Sequence, residues 1–408
     1  MRQFRRFFRI LGPGLITGAA DDDPSGIATY SQTGAQFGYG QLWTVVFLLP
    51  FLVAVQETCA RIGMVTGKGL AAVVKQVYGQ KILYPVIFLV FIANTINIAA
   101  DLGAMTAAIR LVWPNGSFAL ILCGLAIFSL FLEIFLNYHQ YAKLLKWAAL
   151  TLLAYPATLL LIKLPWTQIL TATFWPHIEF SFQFLFIITG VFGTTISPYM
   201  FFWQASEEVE EHQKPTLGHI KRMRIDTGIG MLVSQIATWS IIVVAAGVLH
   251  AHGLTNIQTA ADAAAALAPL AGPMAKLLFA FGVVGLGLLA VPVLAGSASY
   301  AVAEAVGWKT GLNLKPGKAR GFYGVMSVAT LLGLGLNLVG IDPIKALIFT
   351  AVFNGLCAVP LLFVINKIST NTKIMAEYKS GKVSKILCWI TFFIMLAAGI
   401  GMFVSLAI

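Results

Sequence analysis

The chain has 408 residues, 58% of them hydrophobic and 11% charged, with a formal net charge of +11 at pH 7. Soluble proteins average about 25% charged residues, so the composition excludes a water-soluble domain and specifies an integral membrane protein whose standing partner is the lipid bilayer. A nucleic-acid role is excluded too, because the basic residues are spread over short connections between apolar runs and form no single basic domain.

Runs of roughly 20 apolar residues read as membrane-spanning helices. They are predicted near residues 12–32, 41–62, 83–109, 117–137, 144–163, 182–206, 226–249, 274–305, 321–340, 343–366 and 386–407, eleven in all. The stretch Met1-Arg2-Gln3-Phe4-Arg5-Arg6-Phe7-Phe8-Arg9 has the charge of a signal-peptide start. A full span carrying aspartates follows it without a small-residue cleavage site, so it reads as an uncleaved cytoplasmic lead-in.

The first span is interrupted at Gly18-Ala19-Ala20-Asp21-Asp22-Asp23-Pro24-Ser25-Gly26. A charge at the bilayer centre costs about 2.5 kcal/mol or more, and a proline removes a backbone donor, so this segment cannot be a lipid-facing helix. The second span ends in polar residues, Gln56 and Glu57; the third carries Asn94, Asn97 and Asp101. The sixth is interrupted at Gly193-Thr194-Thr195-Ile196-Ser197-Pro198-Tyr199. Its exit, Glu207-Glu208-Val209-Glu210-Glu211-His212-Gln213-Lys214, reads as a solvated cytoplasmic helix end, with a cation-attracting vestibule as the sharper alternative. The outer connection 250–272 is alanine-rich and suits a short interfacial helix; its His250 and His252 are too sparse for a metal site. Glu304 is expected to face water at the inner end of the eighth span, and Asn354-Gly355 to break the tenth. Cys59, Cys123, Cys357 and Cys388 lie in or beside apolar spans without CxxC spacing, so they read as small buried hydrophobes.

With the N-terminus inside, all but four of the 27 Lys and Arg fall in inner segments, the exceptions being Arg110, Lys163, Lys276 and Lys345. The positive-inside rule then places the N-terminus in the cytoplasm and the C-terminus outside, and the expected location is a bacterial inner membrane. No linker divides the chain, so one transporter domain, 1–408, is expected. Helices 1–5 (about 12–163) and 6–10 (about 182–366) form two halves, with an extra helix at about 386–407. Because five is odd, such halves run through the membrane in opposite directions. An inverted repeat of this kind brings broken helices 1 and 6 together near the midplane, the best sequence pointer to a transporter's binding site.

Unwinding a helix frees carbonyl oxygens, and the end of the first half-helix adds negative dipole. Carboxylate, carbonyl, hydroxyl and water are hard ligands suited to Mg²⁺, Ca²⁺ and Mn²⁺. Asp23, immediately before Pro24, is the expected direct ligand, with Ser25 and Gly26 beside it. Asp21 and Asp22 are about 100° apart on a helix and cannot face one point. Either lines an ion or proton path, as Asp101, Gln56 and Glu57 can, or it caps the half-helix or pairs with a basic group. On the second break Ser197 and Tyr199 offer hydroxyls, and Thr194, Thr195 and Ile196 offer carbonyls; Met200 points elsewhere and reads as core. Asn354 has an amide oxygen to offer.

These residues resemble the natural-resistance-associated macrophage protein (NRAMP) family of divalent metal transporters. Gly12-Pro13-Gly14 followed by Asp23-Pro24-Ser25-Gly26 is similar to that family's GPG…DPGN pattern on helix 1. Gln56 through Lys68 matches the helix 2 exit, Ala99-Ala100-Asp101-Leu102 the helix 3 ATDL stretch, and Gly193–Tyr199 the place of GATIMPH on helix 6. The resemblance implies an all-α membrane fold with an inverted 5+5 repeat, that of the amino-acid/sodium symporters, with broken helices 1 and 6. Against the family pattern, Gly26 replaces an Asn, Ser197 a Met, Tyr199 a His and Ala104 a Glu. Losing the thioether removes discrimination for softer metals, and the lost His and Glu belong to the family's proton-coupling apparatus. Both changes resemble the NRAMP-related magnesium transporters, whose site is more hydrated. Small side chains leave room for the waters that Mg²⁺ retains.

The sequence therefore points to a secondary transporter that moves divalent cations by alternating access, with Mg²⁺ or Mn²⁺ as substrate and doubtful proton coupling. The alternatives are a proton-coupled Mn²⁺/Fe²⁺ symporter and a sodium-coupled amino-acid symporter. The second is disfavoured because three aspartates repel a substrate carboxylate. A receptor or scaffold leaves the intramembrane carboxylates without a use. No phosphate-binding glycine loop or His/Cys helix motif marks an enzyme, and no cofactor, obligate protein partner or nucleic acid is expected.

Overall fold

A computed structural model describes residues 13–135, 150–340 and 342–405, and every regular element among them is a helix. The first half holds α1 (Pro13–Asp21), α2 (Pro24–Phe37), α3 (Trp43–Thr66), α4 (Leu70–Tyr78), α5 (Gln80–Val112), α6 (Phe118–Phe135) and α7 (Ala154–Leu159). There follow α8 (Trp166–Phe174), α9 (Phe182–Thr195), α10 (Pro198–Glu210), α11 (Leu217–Val248), α12 (Ala260–Ala265), α13 (Ala275–Val306), α14 (Arg320–Asn337), α15 (Pro343–Ser369) and α16 (Lys382–Ser405). Short polar residues start several of these helices, each satisfying an amide that a helix N-terminus leaves open. Ser181 caps α9 through the Phe184 N–H, Thr216 caps α11 through His219, and Asp342 caps α15 through Lys345. Thr259 and Asp262 form a reciprocal capping box on α12, the short helix expected in the outer connection.

Eight helical stretches among the described residues are long and apolar enough to cross a membrane. The predicted count of eleven is not reproduced. The first predicted span is two helices of 9 and 14 residues, and the ninth, α14, with Arg320, Tyr323 and Asn337 among its 18 residues, is not apolar enough to be among the eight. Residues 144–149 of the span expected at 144–163 lie outside the described residues, and the remainder forms a 3₁₀ turn (Leu150–Leu153) and the short α7 instead of a full span.

The packing is reciprocal between the halves: α9 and α10 lie against α3 and α15, as α1 and α2 lie against α11, while α5 and α13 pair along their lengths. An apolar solvent gives helices no hydrophobic reason to associate, so contact depends on small residues that let backbones approach. A Cβ on Gly18 would stand 2.4 Å from the Gly230 carbonyl oxygen, and one on Gly193 would stand 2.0 Å from the Ala351 oxygen. Helix α15 runs unbroken through Asn354-Gly355, contrary to expectation. Gly355 serves the close approach to Gly193 instead of interrupting the helix.

One end of the bundle gathers the segments expected inside. Arg61 and Arg224 both bond the Glu57 carboxylate, Arg61 also donates to the Tyr378 carbonyl, and Ser384 donates to Glu57. Two further expectations are corrected here. Glu304 is only partly exposed, and its carboxylate accepts the Ala72 N–H (3.1 Å) at the start of α4. The 207–214 stretch is solvated only at its end: His212, Gln213 and Lys214 are exposed, but Glu207 and Glu208 are buried, and Glu210 accepts from Tyr300 (2.8 Å), the Leu312 N–H (3.0 Å) and Asn313 (2.7 Å). Carboxylates at this depth persist only when hydrogen-bonded or paired; the donors come from the start of α4, from α13 and from the connection that follows α13.

Candidate functional site

Helix α1 stops at Asp21, and Asp23 takes an extended conformation (φ −66°, ψ 173°) as the N-cap of α2. Its Oδ1 accepts the Gly26 N–H (2.8 Å) and the Ser25 hydroxyl (2.6 Å). Pro24 occupies the first helical turn, where its missing N–H costs nothing. The second oxygen, Oδ2, turns across the gap toward the Tyr199 hydroxyl, 3.5 Å away.

Helix α9 ends with Ile196 outside helical geometry (φ −115°, ψ 63°), and Ser197 (φ −84°, ψ 140°) precedes Pro198 at the start of α10. Ser197 does not cap α10. Its hydroxyl turns back to donate to the Gly193 carbonyl (2.6 Å), with the Thr194 carbonyl 3.1 Å away. Tyr199 donates to the freed Ala20 carbonyl (2.7 Å). The Ser25 and Thr194 hydroxyls share a 3.2 Å hydrogen bond, and Tyr30 and Thr195 share one of 3.0 Å. Direct side-chain bonds thus join α2 to α9 and α1 to α10. The expected meeting of Asp23, Ser25, Gly26, Thr194, Ser197 and Tyr199 takes place around the two breaks.

The flanking aspartates have partners that sequence reasoning missed. Asp21 accepts the Ser234 hydroxyl (2.5 Å) and Asp22 the Thr238 hydroxyl (3.3 Å), both from α11, while Asp226 of the same helix accepts the Gly14 N–H (2.7 Å). Residues four apart share a helix face, so Asp226, Gly230, Ser234 and Thr238 form one stripe along α11 that receives α1. Small and polar residues at four-residue spacing in an otherwise apolar span were the available signal. Asp21 and Asp22 each keep one buried oxygen without a partner.

Asp101 is fully buried, neither of its oxygens has a hydrogen-bond partner, and it lies within electrostatic reach of Asp23 and Tyr199. The amides of Gln56 and Asn354 are likewise buried without partners, Asn354 one residue before the Gly355–Gly193 contact. Glu57 is not delivered to the breaks as an open carboxylate, since two arginines hold it at the helix end. His250 and His252 bond backbone carbonyls, and Met200 is core.

Among the described residues no three His, Cys, Asp or Glu side chains converge as a metal cage. Between the two breaks the site offers the Asp23 Oδ2, held only by the long 3.5 Å contact with Tyr199, together with backbone carbonyls and hydroxyls. That donor set is all-oxygen and incomplete by itself, which suits a cation that keeps part of its water. Gly26 borders the gap closely: a Cβ there would stand 3.1 Å from the Tyr30 ring, 3.3 Å from the Asp21 carbonyl oxygen and 3.4 Å from the Thr194 hydroxyl.

A family model described as natural resistance-associated macrophage protein-like matches residues 14–405. The divalent metal cation transporter MntH of Caldanaerobacter subterraneus subsp. tengcongensis is 25% identical over 423 residues, covering 99% of this chain and 95% of that protein. The crystal structure of the Eremococcus coleocola manganese transporter superposes with a TM-score of 0.76 at 16% identity, covering 95% of this chain and 84% of that one. MhsT, solved in complex with L-phenylalanine, superposes at 0.64 with 12% identity, covering 96% and 98%. At these identities the superpositions establish the fold, an all-helical membrane architecture with paired broken helices. They leave the choice of cargo to the site.

Proposed function

The chain belongs to the natural resistance-associated macrophage protein-like family, and from that premise we propose that it carries divalent metal cations across a membrane by alternating access. The cation binds between the two breaks, with Asp23 as charged ligand. Mg²⁺ and Mn²⁺ are the preferred cargo. The observation that carries this reading is the Asp23 Oδ2 facing the second break, where Ser197 and Tyr199 supply only oxygen. Thr194, whose hydroxyl bonds Ser25, adds hydroxyl and carbonyl oxygen there, and we assign the unpartnered amide of Asn354 to the same site. A thioether or imidazole at positions 197 or 199 would select softer metals; hydroxyls do not.

Uptake runs with the N-terminus in the cytoplasm, in a bacterial inner membrane, driven by the membrane potential. Two charges moving through 100 mV yield about 4.6 kcal/mol at ~2.3 kcal/mol per charge, enough for considerable accumulation without a proton. No cofactor and no obligate protein partner take part, and the chain performs no enzymatic step. A second reading is proton-coupled Mn²⁺/Fe²⁺ uptake, favoured by the buried Asp101 carboxylate, whose oxygens have no hydrogen-bond partner. An amino-acid cargo is disfavoured by the three aspartates at the first break.

The test is uptake of Mg²⁺ and Mn²⁺ into proteoliposomes under an inside-negative potential, with internal pH recorded. Saturable uptake of both metals without internal acidification is expected. Acidification that tracks metal entry replaces the uncoupled reading with the proton-coupled one, and absence of metal uptake removes both.

A further inference from the structure

At the end of the bundle where the basic segments gather, a cavity of about 660 Å³ opens between α5, α13 and α14. Its walls are two helix faces in register. Tyr84, Ile87, Phe88 and Phe91 line it from α5, and Gly321, Gly324, Val325 and Val328 from α14. Each set has the i, i+3, i+4, i+7 spacing of a single helical stripe. Trp308, against which Gly321 is closely packed, closes the end.

Phe88 is 67% exposed, and Tyr84, Trp308 and Val328 are about half exposed, so the groove faces the surroundings of the bundle, not its core. It extends about 10 Å along α14, seven residues at 1.5 Å each. A Cβ on Gly324 would meet nothing within 4 Å, so the floor is open. The chemistry changes abruptly at the Trp308 end. Lys309 follows Trp308, Arg320 precedes Gly321, and Lys81 lies one turn before Tyr84; all three cations are exposed. None of them has a salt-bridge partner among the described residues.

An apolar slot that ends in an aromatic belt and unpaired cations is complementary to a molecule with an acyl chain and an anionic headgroup. We infer that this groove binds one anionic phospholipid, its chain along Phe88 and Gly324 and its phosphate against Lys81, Lys309 and Arg320. A second protein helix is a poorer occupant, because the apolar strip runs only about 10 Å along α14 and its basic mouth would lack a counter-charge. Clamping α14 to α5 and α13, the lipid would stiffen the ninth predicted span, a helix less apolar than its neighbours.

The test is native mass spectrometry of the purified full chain equilibrated with equal amounts of phosphatidylglycerol and phosphatidylcholine. One tightly retained phosphatidylglycerol is expected, displaced as ionic strength rises. The double variant Lys309→Ala/Arg320→Ala should lower phosphatidylglycerol retention by about 25-fold, about five-fold per charge, and leave phosphatidylcholine unchanged. Gly324→Leu fills the open floor and should lower retention of both lipids. Melting temperatures measured without added lipid separate lost binding from lost folding. Equal retention of the two lipids by the unaltered protein overturns the proposal, as does undiminished phosphatidylglycerol retention by a folded Gly324→Leu protein.

Discussion

At the first break the chain places Asp21, Asp22 and Asp23 where helix α1 stops; at the second it places Ile196 and Ser197 where α9 stops. Both interruptions use proline at the start of the following half-helix, and both expose carbonyls. The charged break needs a supporting helix, and α11 provides one, with Ser234 and Thr238 spaced to meet Asp21 and Asp22. The neutral break supports itself, Ser197 bonding back to the turn it has just left. Tyr199 then reaches from the neutral break to the charged one, meeting the Ala20 carbonyl and facing Asp23. The difference assigns tasks: the first break supplies charge, the second supplies position and oxygen.

The strongest way to break this division is Asp23→Asn. Asparagine is as good an N-cap as aspartate, so α2 should persist and the melting temperature should barely move. Removing the charge should lower metal uptake by about 100-fold, the scale of losing a buried charge partner. Asp23→Ala should lose uptake as well and cost about 1 kcal/mol more in stability through the lost cap. Transport at the unaltered rate by Asp23→Asn would show that charge at the first break is not what binds the ion.

Support of that break by α11 is tested next. Ser234→Ala removes the hydroxyl bonded to the Asp21 carboxylate and should destabilise the protein by about 1.5–3 kcal/mol, read from thermal unfolding in detergent. Thr238→Val, at a longer hydrogen bond, should cost less. Equal and negligible effects would mean that α11 merely passes by.

Ser197→Met sharpens the comparison from the neutral side. It installs a soft donor at a buried position and should raise preference for Mn²⁺ over Mg²⁺ by roughly tenfold, measured by competition. Overpacking of about 1–3 kcal/mol is expected with it. The smallest effect belongs to Tyr199→Phe. Losing its bond to Ala20 should cost about 1 kcal/mol, seen as a lower melting temperature, and losing one neutral oxygen beside Asp23 should weaken metal uptake far less than losing the Asp23 charge.

Much of this architecture was legible because it rests on local chemistry. Asp23-Pro24 and Ser197-Pro198 are helix stops wherever they occur, and carboxylates inside an apolar run demand a reason. The unread parts depend on distant partners. The four-residue spacing of Ser234 and Thr238 marks a polar face on α11, but it does not say that Asp21 and Asp22, over 200 positions earlier, will accept their hydrogen bonds. Glu57 read as a path residue because Arg224 and Ser384 are remote in sequence, and Glu304 read as solvated because its donor, Ala72, is in the other half. Asn354-Gly355 was misread for a different reason. Glycine weakens a helix only slightly beside proline, and here it admits the backbone of α9 at Gly193.

The central claim, a hard and partly hydrated cation site, is tested most directly by tracer Mn²⁺ uptake into proteoliposomes with a large excess of Mg²⁺ outside. An oxygen-only site with room for water should bind both ions, so Mg²⁺ should suppress Mn²⁺ uptake and itself enter. Mn²⁺ uptake that proceeds undiminished in that excess would contradict the account.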